Sequence, residues 1–242
     1  MKKQIVALGY QLRIMQPSIG AAVGTGVHAS AAYQAREKLA GHDPRDWADL
    51  AIETYKKEIA DGVLFDTTTP TNNDAFRQIQ TLSASVQYEI IPAVTPVSVE
   101  PESMSAIWNE VELCGRWDLE EPDGIDDYKS GKTLRPAHAQ LGGYSLLRAS
   151  YGKPRPERLT VFHLPRTSIK KTYPGMQRYD YPVEICERAA YVTLNHIIRD
   201  IKNFLATNEP WAFQANPISM LCSPNYCSAF GTDFCEITKG KK

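Results

Sequence analysis

Apolar residues recur along the chain with two different spacings, and the first part follows the helical one. The run at 27–39, rich in Ala, Gln, Arg and Glu, favours a helix with His28 in its first turn. Apolar positions within 46–60 and 74–85 also repeat at the interval of a helix. Three helices are therefore predicted before any strand.

The middle of the chain changes to short apolar segments separated by Pro and Gly, which indicate strands. A meander is the simplest arrangement of the first three, and a helix, two strands and a long helix follow them. The predicted strands are 93–100, 105–119, 123–129, 159–164 and 178–183, and the predicted helices are 137–150 and 184–206.

The length and composition favour one α/β domain, since 242 residues with 43% hydrophobic content can bury one sizeable core. We expect a single domain over 1–242, with a helical part at 1–90, an α/β core at 91–206 and a Cys-containing tail at 207–242.

The overall charge excludes a strongly basic body, because the formal net charge is -1. Any nucleic acid must therefore be bound by a local patch of positive charge. Polar Gln11, Arg13 and Gln16 interrupt the apolar start before a signal core or membrane span is complete, so we expect an intracellular, cytoplasmic protein without membrane attachment.

Two acids and a lysine form the central chemical signal, at Gly115-Arg-Trp-Asp118 and Ile125-Asp-Asp-Tyr-Lys129. Alternation along a strand puts Asp127 and Lys129 on one face and Asp126 on the other. A hairpin through 120–124 can bring Asp118 beside Asp127, where two carboxylates could share a divalent cation. Taken alone, this pattern is also that of a solvated cross-strand ion pair.

The neighbouring Ser130-Gly-Lys-Thr133 imitates the end of a phosphate-binding loop. That motif needs a glycine where Asp126 stands, so the backbone cradle for phosphate is missing. We therefore reject an NTPase.

Four motifs in order resemble those of RecB-type nucleases in the PD-(D/E)xK superfamily, and the match spans roughly 20–145. Each motif is weak, but together they are fairly specific. The motifs are Gly24-Thr-Gly-Val-His28, GRWD ending at Asp118, DYK at 127–129, and Gln140-Leu-Gly-Gly-Tyr144.

The resemblance implies a restriction-endonuclease-like fold, with a mixed central sheet flanked by helices. It implies that His28, Asp118 and Asp127 ligate Mg²⁺ or Mn²⁺ with the backbone carbonyl of Tyr128, and that Lys129 is the catalytic lysine. An imidazole ligand favours Mn²⁺. Taken alone, His28 is a capping or packing residue.

Gln140 and Tyr144 share a helix face through their i, i+4 spacing. The resemblance implies that both point at the metal centre or at the DNA strand. Either residue singly also fits a solvated helix edge.

The cysteines crowd the C-terminus at Cys222, Cys227 and Cys235, where thiolates select zinc or an iron–sulfur cluster. The segment from Phe213 resembles the tail of iron–sulfur RecB-like nucleases, which include CRISPR-adaptation nucleases and phage relatives. In those proteins a fourth cysteine precedes the GxxxH motif, but 1–28 contains none. A [4Fe–4S] cluster, a remnant and a zinc site all remain open, as does whether Met1 is the full-length start.

The function predicted from the resemblance is Mg²⁺- or Mn²⁺-dependent hydrolysis of DNA, as an exonuclease with a leaning towards single strands or free ends. The setting is recombination, repair or phage DNA processing, in the host cytoplasm if the protein is phage-encoded. A cluster of cations around the acids could track phosphates, although each singly fits ordinary surface charge: Arg116, Lys132, Arg135, Arg148, Lys153 and Arg155.

Two alternatives remain. The chain could be a catalytically impaired DNA-binding or assembly subunit that retains the nuclease fold. The missing cysteine is the reason for this alternative. It could also be one subunit of a recombination or adaptation complex, active only with its partner.

Overall fold

A computed structural model describes residues 2–13, 15–209, 212, 222–224, 226–235 and 237–240. Its contacts group the chain into two compact units, which are described separately below. One comprises Pro17–Val192, and the other comprises Met1–Gln16 with Thr193–Lys242.

The helices agree with the predicted ones except near the N-terminus. A short additional helix comes first, and the fourth helix continues through a π-helical turn at Val86–Ile90 and a 3₁₀ turn at Ile91–Ala93. The helices are α1 (Lys2–Ala7), α2 (Ile19–Leu39), α3 (Trp47–Glu58), α4 (Asn72–Ser85), α5 (His138–Ser150) and α6 (Val183–Thr207).

Helix α2 begins at Ile19 rather than at 27, so His28 lies in its third turn and not in its first. Ser18 caps the helix by accepting a hydrogen bond from the Ala21 amide at 3.2 Å. Glycine is a poor helix former in isolation. Here Gly26 is packed so closely that an added Cβ would lie 2.6 Å from the Ala51 carbonyl oxygen of α3. Close packing against α3 thus outweighs the low helix propensity of the glycines, because of which the start of the helix was predicted at 27.

The strands form a mixed central sheet in the order β1-β4-β5-β6-β7, in which only β5 and β6 run parallel. Helices cover both faces, which confirms the predicted α/β class with a mixed central sheet flanked by helices. The strands are β1 (Ser98–Val99), β2 (Met104–Trp108), β3 (Val111–Gly115), β4 (Leu119–Glu120), β5 (Gly124–Lys129), β6 (Arg158–His163) and β7 (Gln177–Tyr181).

The predicted meander is confirmed in its pairing order, β1-β4-β5, but a hairpin that was not predicted is inserted between β1 and β4. The segment 105–119 breaks at Asn109 and Glu110, whose φ angles of 46° and 67° make a tight turn. It folds into a separate hairpin of β2 and β3, and only β4 joins the main sheet. The predicted strand at 93–100 shrinks to Ser98–Val99 because its beginning continues the preceding helix.

Alternate residues of β5 face two different cores of the larger unit. Tyr128 packs with Leu119 and Phe162 in a core that includes buried residues of α2 and α4. Ile125 lies in the second core, with Leu141 of α5. Since both faces of the strand are covered, polar side chains on it lose their contact with water.

The other unit has a small core of its own around Ile5, Phe204 and Phe234. The Tyr10 ring meets the Phe234 ring edge-on with 5.3 Å between centroids. The Arg13 amide donates to the Ser228 carbonyl at 2.8 Å. No helix among the described residues is long and apolar enough to cross a bilayer.

Helix α5 contains two adjacent glycines that differ in their surroundings. A Cβ on Gly142 would lie 2.0 Å from the Cys186 carbonyl oxygen of α6, whereas a Cβ on Gly143 would meet nothing within 4 Å. We expect Gly142→Ala to destabilise the protein by about 3 kcal/mol, because a backbone atom cannot move aside easily.

The matched variant Gly143→Ala should stabilise it by about 0.5–1 kcal/mol through helix propensity. Urea denaturation of both variants measures the difference. Equal free energies of unfolding would contradict the close approach of the two helices.

Candidate active site

The two acids meet at the hairpin of β4 and β5. Leu119 pairs with Asp126 in the antiparallel register, so Asp118, one residue earlier, lies across from Asp127. Backbone hydrogen bonds between Glu121 and Gly124 close the turn. Asp118 is held further by the Tyr128 amide, which donates to its Oδ2 at 2.7 Å. The turn expected at 120–124 therefore brings both carboxylates together.

Lys129 and Asp127 project from the same face of β5. Lys129 Nζ lies 2.5 Å from Asp127 Oδ2, and the Asp127 side chain is only 2% exposed. From α5, Gln140 Nε2 donates to Asp127 Oδ1 at 3.2 Å and to the Tyr144 hydroxyl at 2.6 Å. Gln140 thus contacts the acid directly, while Tyr144 reaches it through Gln140.

His28 comes to the same place from α2. Its Nδ1 lies 3.5 Å from Asp118 Oδ2, and its ring is edge-on to Tyr128 at 6.2 Å between centroids. Burial lowers the pKa of His28, but the hydrogen bond and charge of Asp118, together with the charge of Asp127, raise it above 6.5 overall. The imidazole therefore stands where it can join the two carboxylates.

The two carboxylates have opposite pKa shifts. Burial and the neighbouring charge of Asp118 raise the pKa of Asp127 to about 6, against the opposing charge of Lys129. For Asp118 the effect of burial is outweighed by the hydrogen bond and charge of His28 and by the Tyr128 amide, so its pKa is lowered. Two buried acids side by side attract positive charge.

Asp126 lies on the opposite face and takes no part in this cluster. Its Oδ1 accepts a hydrogen bond from Arg158 at 2.8 Å, and Glu121 lies beside the same guanidinium. Burial, followed by the hydrogen bond with Glu121, raises the pKa of Asp126 to about 8. Alternation along β5 thus separates Asp126, which is paired with Arg158, from the cluster around Asp127.

An open groove of about 800 Å³ runs past the acids. His28, Asp118 and Lys129 lie on its wall, together with small residues on one face of α2: Gly20, Ala21, Gly24, Thr25, Ala29 and Ala32. Small side chains leave room for a polymer backbone to approach the carboxylates.

Two arginines on the groove wall share one acid. Arg36 donates to Glu100 Oε2 at 2.8 Å, and Arg116 lies 3.8 Å from Glu100 Oε1. Glu100 has a φ of 39°, in the left-handed region that side-chain-bearing residues seldom adopt. The arginines are therefore held over the groove by a residue in a restricted backbone conformation.

Comparison with known proteins adds one structural neighbour. It is a crystallised protein from Eubacterium rectale described as "Putative exonuclease", with 15% sequence identity and a TM-score of 0.46 over 76% of this chain and 82% of that one. No family model and no curated protein matches the chain. The likeness to the neighbour is too slight to carry a functional conclusion.

Of the cations expected to track phosphates, Arg116 lines the groove and most others are engaged elsewhere. Arg148 is 5% exposed and donates to Glu120 at 3.1 Å. Lys153 binds the same Glu120 at 2.8 Å, and Arg155 binds Glu187 at 2.8 Å. Lys132 contacts Asp66 at 3.0 Å. None of these four lines the groove.

Sequence reasoning missed Arg36, Tyr33 and Glu100 as groove residues. Arg36 follows His28 by eight residues, which returns to the same helix face, so the spacing could have revealed it. Glu100 offered no such signal, because its place depends on the short pairing of β1 with β4.

The three tail cysteines belong to the other unit. Cys222 and Cys227 are half-buried and Cys235 is buried, and all three are free thiols. The preceding segment 213–221 lies outside the described residues. An iron–sulfur or zinc site here stays a prediction.

Within the described ranges, no three His, Cys, Asp or Glu side chains stand close enough together to hold a metal as they are. At the candidate site, the ammonium of Lys129 lies on Asp127 Oδ2. The candidate metal ligands are two carboxylates and one imidazole. Ion pairs set their arrangement in the structure.

The raised pKa of His28 gives a pH dependence of stability in metal-free protein. Because its folded pKa exceeds 6.5, its contribution is fully present below pH 6.5 and is lost as the pH rises through the folded pKa. The raised pKa of Asp127 also makes stability fall as the pH rises, but over a lower range, from pH 3.8 to about 6. We expect the free energy of unfolding to fall above pH 6.5 less steeply in His28→Gln than in the wild type.

The measurement is urea denaturation in EDTA at a series of pH values. His196→Gln serves as the control, since His196 is exposed on α6. Identical pH slopes in wild type and His28→Gln would show that the imidazole gains nothing from Asp118 on folding.

Proposed function

We propose that the chain is a metal-dependent DNA nuclease, and the observation that carries this is the pairing of Asp118 with the buried Asp127 and Lys129, at an open groove that Asp118 and Lys129 line. Buried paired carboxylates, an imidazole and an ammonium are the groups that phosphodiester hydrolysis uses. From the sequence motifs we assign it to the RecB-like branch and infer an exonuclease.

The donor chemistry fits a divalent cation. Asp127 is buried beside a second carboxylate, so a cation would relieve the repulsion that raises its pKa. His28, Asp118 and Asp127 would hold Mg²⁺ or Mn²⁺, and the imidazole favours Mn²⁺. When bound, such an ion supplies Lewis acidity at the phosphate and lowers the pKa of a water molecule.

The remaining chemistry falls to the protein's own side chains. Lys129 Nζ can orient the attacking water and offset the negative charge that grows on the scissile phosphate. Gln140 holds the Asp127 carboxylate in place through its hydrogen bond to Oδ1. Tyr144 in turn accepts from Gln140 and limits the rotation of that amide. Gln140 and Tyr144 are thus positioning residues.

Arg36 and Arg116 are the residues that bind the backbone of the DNA strand in this proposal. Their guanidinium groups meet at Glu100 on the groove wall, where its carboxylate takes the place that a backbone phosphate could occupy. Tyr33 offers a ring in the same groove on which a base could stack. A nearly neutral protein can bind DNA in this way because the positive charge is concentrated at one place.

A second candidate function is a DNA-binding subunit that has lost cleavage. The ion pair between Lys129 and Asp127, at 2.5 Å, favours it, because the lysine already neutralises the acid that a metal would need. Titration with Mn²⁺ separates the two. A nuclease binds it stoichiometrically and loses it on Asp127→Asn, whereas an impaired subunit binds DNA alone.

We expect Asp118→Asn, Asp127→Asn and Lys129→Ala each to lower DNA cleavage by at least about a hundredfold, since each removes a charge next to the reacting phosphate. The assay is degradation of end-labelled linear DNA with Mg²⁺ or Mn²⁺, on single and double strands. Asp126→Asn is the matched control, because this acid faces away from the groove and is held by Arg158 instead.

Equal cleavage by the wild type and all three site variants would sink the nuclease proposal. Loss of cleavage in Asp126→Asn as well, with an unchanged melting temperature, would show that the two faces of β5 are not separated as the register indicates.

Arg36→Ala and Arg116→Ala should each weaken DNA binding and reduce the slope of log affinity against log salt by about one. Fluorescence anisotropy of a labelled single strand in EDTA, which stops cleavage, measures both quantities. Arg155→Ala is the control because that side chain is bound to Glu187 and lies outside the groove. An Arg155→Ala effect as large as the other two would argue for diffuse surface charge.

A further inference from the structure

A second cavity, separate from the groove, lies between α4 and the segment that follows β6. It has a volume of about 350 Å³, which is within the size range of small-ligand sites. None of its lining residues also lines the groove. The assigned nuclease site therefore does not account for it.

The cavity is cationic. Of the described residues that line it, three are basic and none is acidic: Arg77, Arg166 and Lys171. No ion pair within the described part of the chain engages Arg77 or Lys171, both of which are exposed. An anion that binds between Arg77 and Lys171 would therefore meet no competing carboxylate among the described residues of the cavity wall.

Arg166 supplies a buried donor at this place. The residue is 5% exposed, and its Nη2 lies 2.7 Å from Asp66 Oδ2. Its Nε is buried without a hydrogen-bond partner. Arg166 is therefore a fixed part of the cavity wall, and the exposed Arg77 and Lys171 are the cations that a ligand can reach.

The remaining lining residues give the cavity an apolar side. Leu82, Ile169 and the Tyr173 ring lie there, and the Tyr173 hydroxyl is fixed by a hydrogen bond to Ser85 Oγ at 3.0 Å. Thr167 and Ser168 add polar groups. Cations beside an apolar and aromatic wall match a phosphate group attached to a flat ring.

We propose that this cavity binds a phosphate-bearing ligand of nucleotide size, either a free nucleoside monophosphate or the terminal nucleotide of a strand. Arg77 and Lys171 contact the phosphate, Arg166 forms the fixed wall beside it, and the base rests against Tyr173 and Ile169. The proposal does not depend on nuclease activity, since no residue of the catalytic cluster takes part.

Arg166 also connects the cavity with the groove wall. Its amide donates to the Gly131 carbonyl at 3.0 Å, and its Nη2 lies so near Gly20 that an added Cβ there would be 2.9 Å away. Both Gly20 and Gly131 line the groove. A ligand on Arg166 is therefore one residue away from the path proposed for DNA.

The test is isothermal titration calorimetry of the full chain with deoxyadenosine monophosphate in EDTA. Deoxyadenosine, which lacks the phosphate, is the ligand control. We expect binding of the monophosphate, with an affinity at least about tenfold above that of the nucleoside. The variant Arg77→Ala/Lys171→Ala should lose at least about tenfold in affinity for the monophosphate.

Two variants serve as controls. Lys170→Ala removes an adjacent exposed lysine that does not line the cavity, and Asp127→Asn alters the catalytic cluster. Both should bind the monophosphate within about twofold of the wild type. No binding by the wild type at millimolar monophosphate, or equal binding by the double variant, would overturn the proposal. A loss in Asp127→Asn would place the ligand in the groove instead and would equally overturn it.

A second arm distinguishes the two ligand sources, using a single-stranded decamer with and without a 5′-phosphate. A phosphate-dependent gain that disappears in Arg77→Ala/Lys171→Ala identifies a strand end as the ligand. Equal binding of both decamers, with the monophosphate effect retained, identifies a free nucleotide. Because these measurements are made without metal, failure of the nuclease assay leaves their outcome unaffected.

Discussion

The antiparallel pairing of β4 with β5 is the constraint on which the rest of the candidate site depends. Leu119 against Asp126 fixes the register, and a slip of one residue would turn Asp127 and Lys129 to the opposite face. The pairing is short, because β4 has only two residues, Leu119–Glu120. Its register is reinforced by the Tyr128 amide on Asp118 and by the burial of Leu119 and Ile125 in separate cores.

Burying two carboxylates beside each other is electrostatically unfavourable, and the surrounding elements supply groups that compensate for it. Lys129 from the same strand and His28 from α2 bring positive charge, while Gln140 from α5 brings a hydrogen-bond donor. Each comes from a different element, so the site forms only when the helices have packed on both faces of the sheet. The cost of burying the charges is offset by tertiary packing.

The cations fall into two groups, those paired with acids inside the fold and those at the groove and the second cavity. Arg148, Lys153 and Arg158 are engaged by Glu120, Glu121 and Asp126 and hold the sheet together. Arg36 and Arg116 share one carboxylate at the groove, and Arg77 and Lys171 at the second cavity form no ion pair with a described residue. Where cations outnumber acids locally, the protein can attract phosphate despite a net charge of -1.

The sequence by itself determined the class of fold, most helices and which residues come together in the central cluster. Local periodicity marks α3 to α6 and β5 to β7, because each buries one face or both, and strand alternation alone separated Asp127 from Asp126. Tertiary structure decided where α2 begins, because its glycines allow distant parts of the chain to approach closely: Gly20 meets Arg166, Gly24 meets Ser130 and Gly26 meets Ala51 of α3. It also decided that 105–119 forms a separate hairpin, and that Arg36 and Glu100 rather than Arg148 or Lys153 border the groove. Those outcomes depend on partners distant in sequence, which no local pattern specifies.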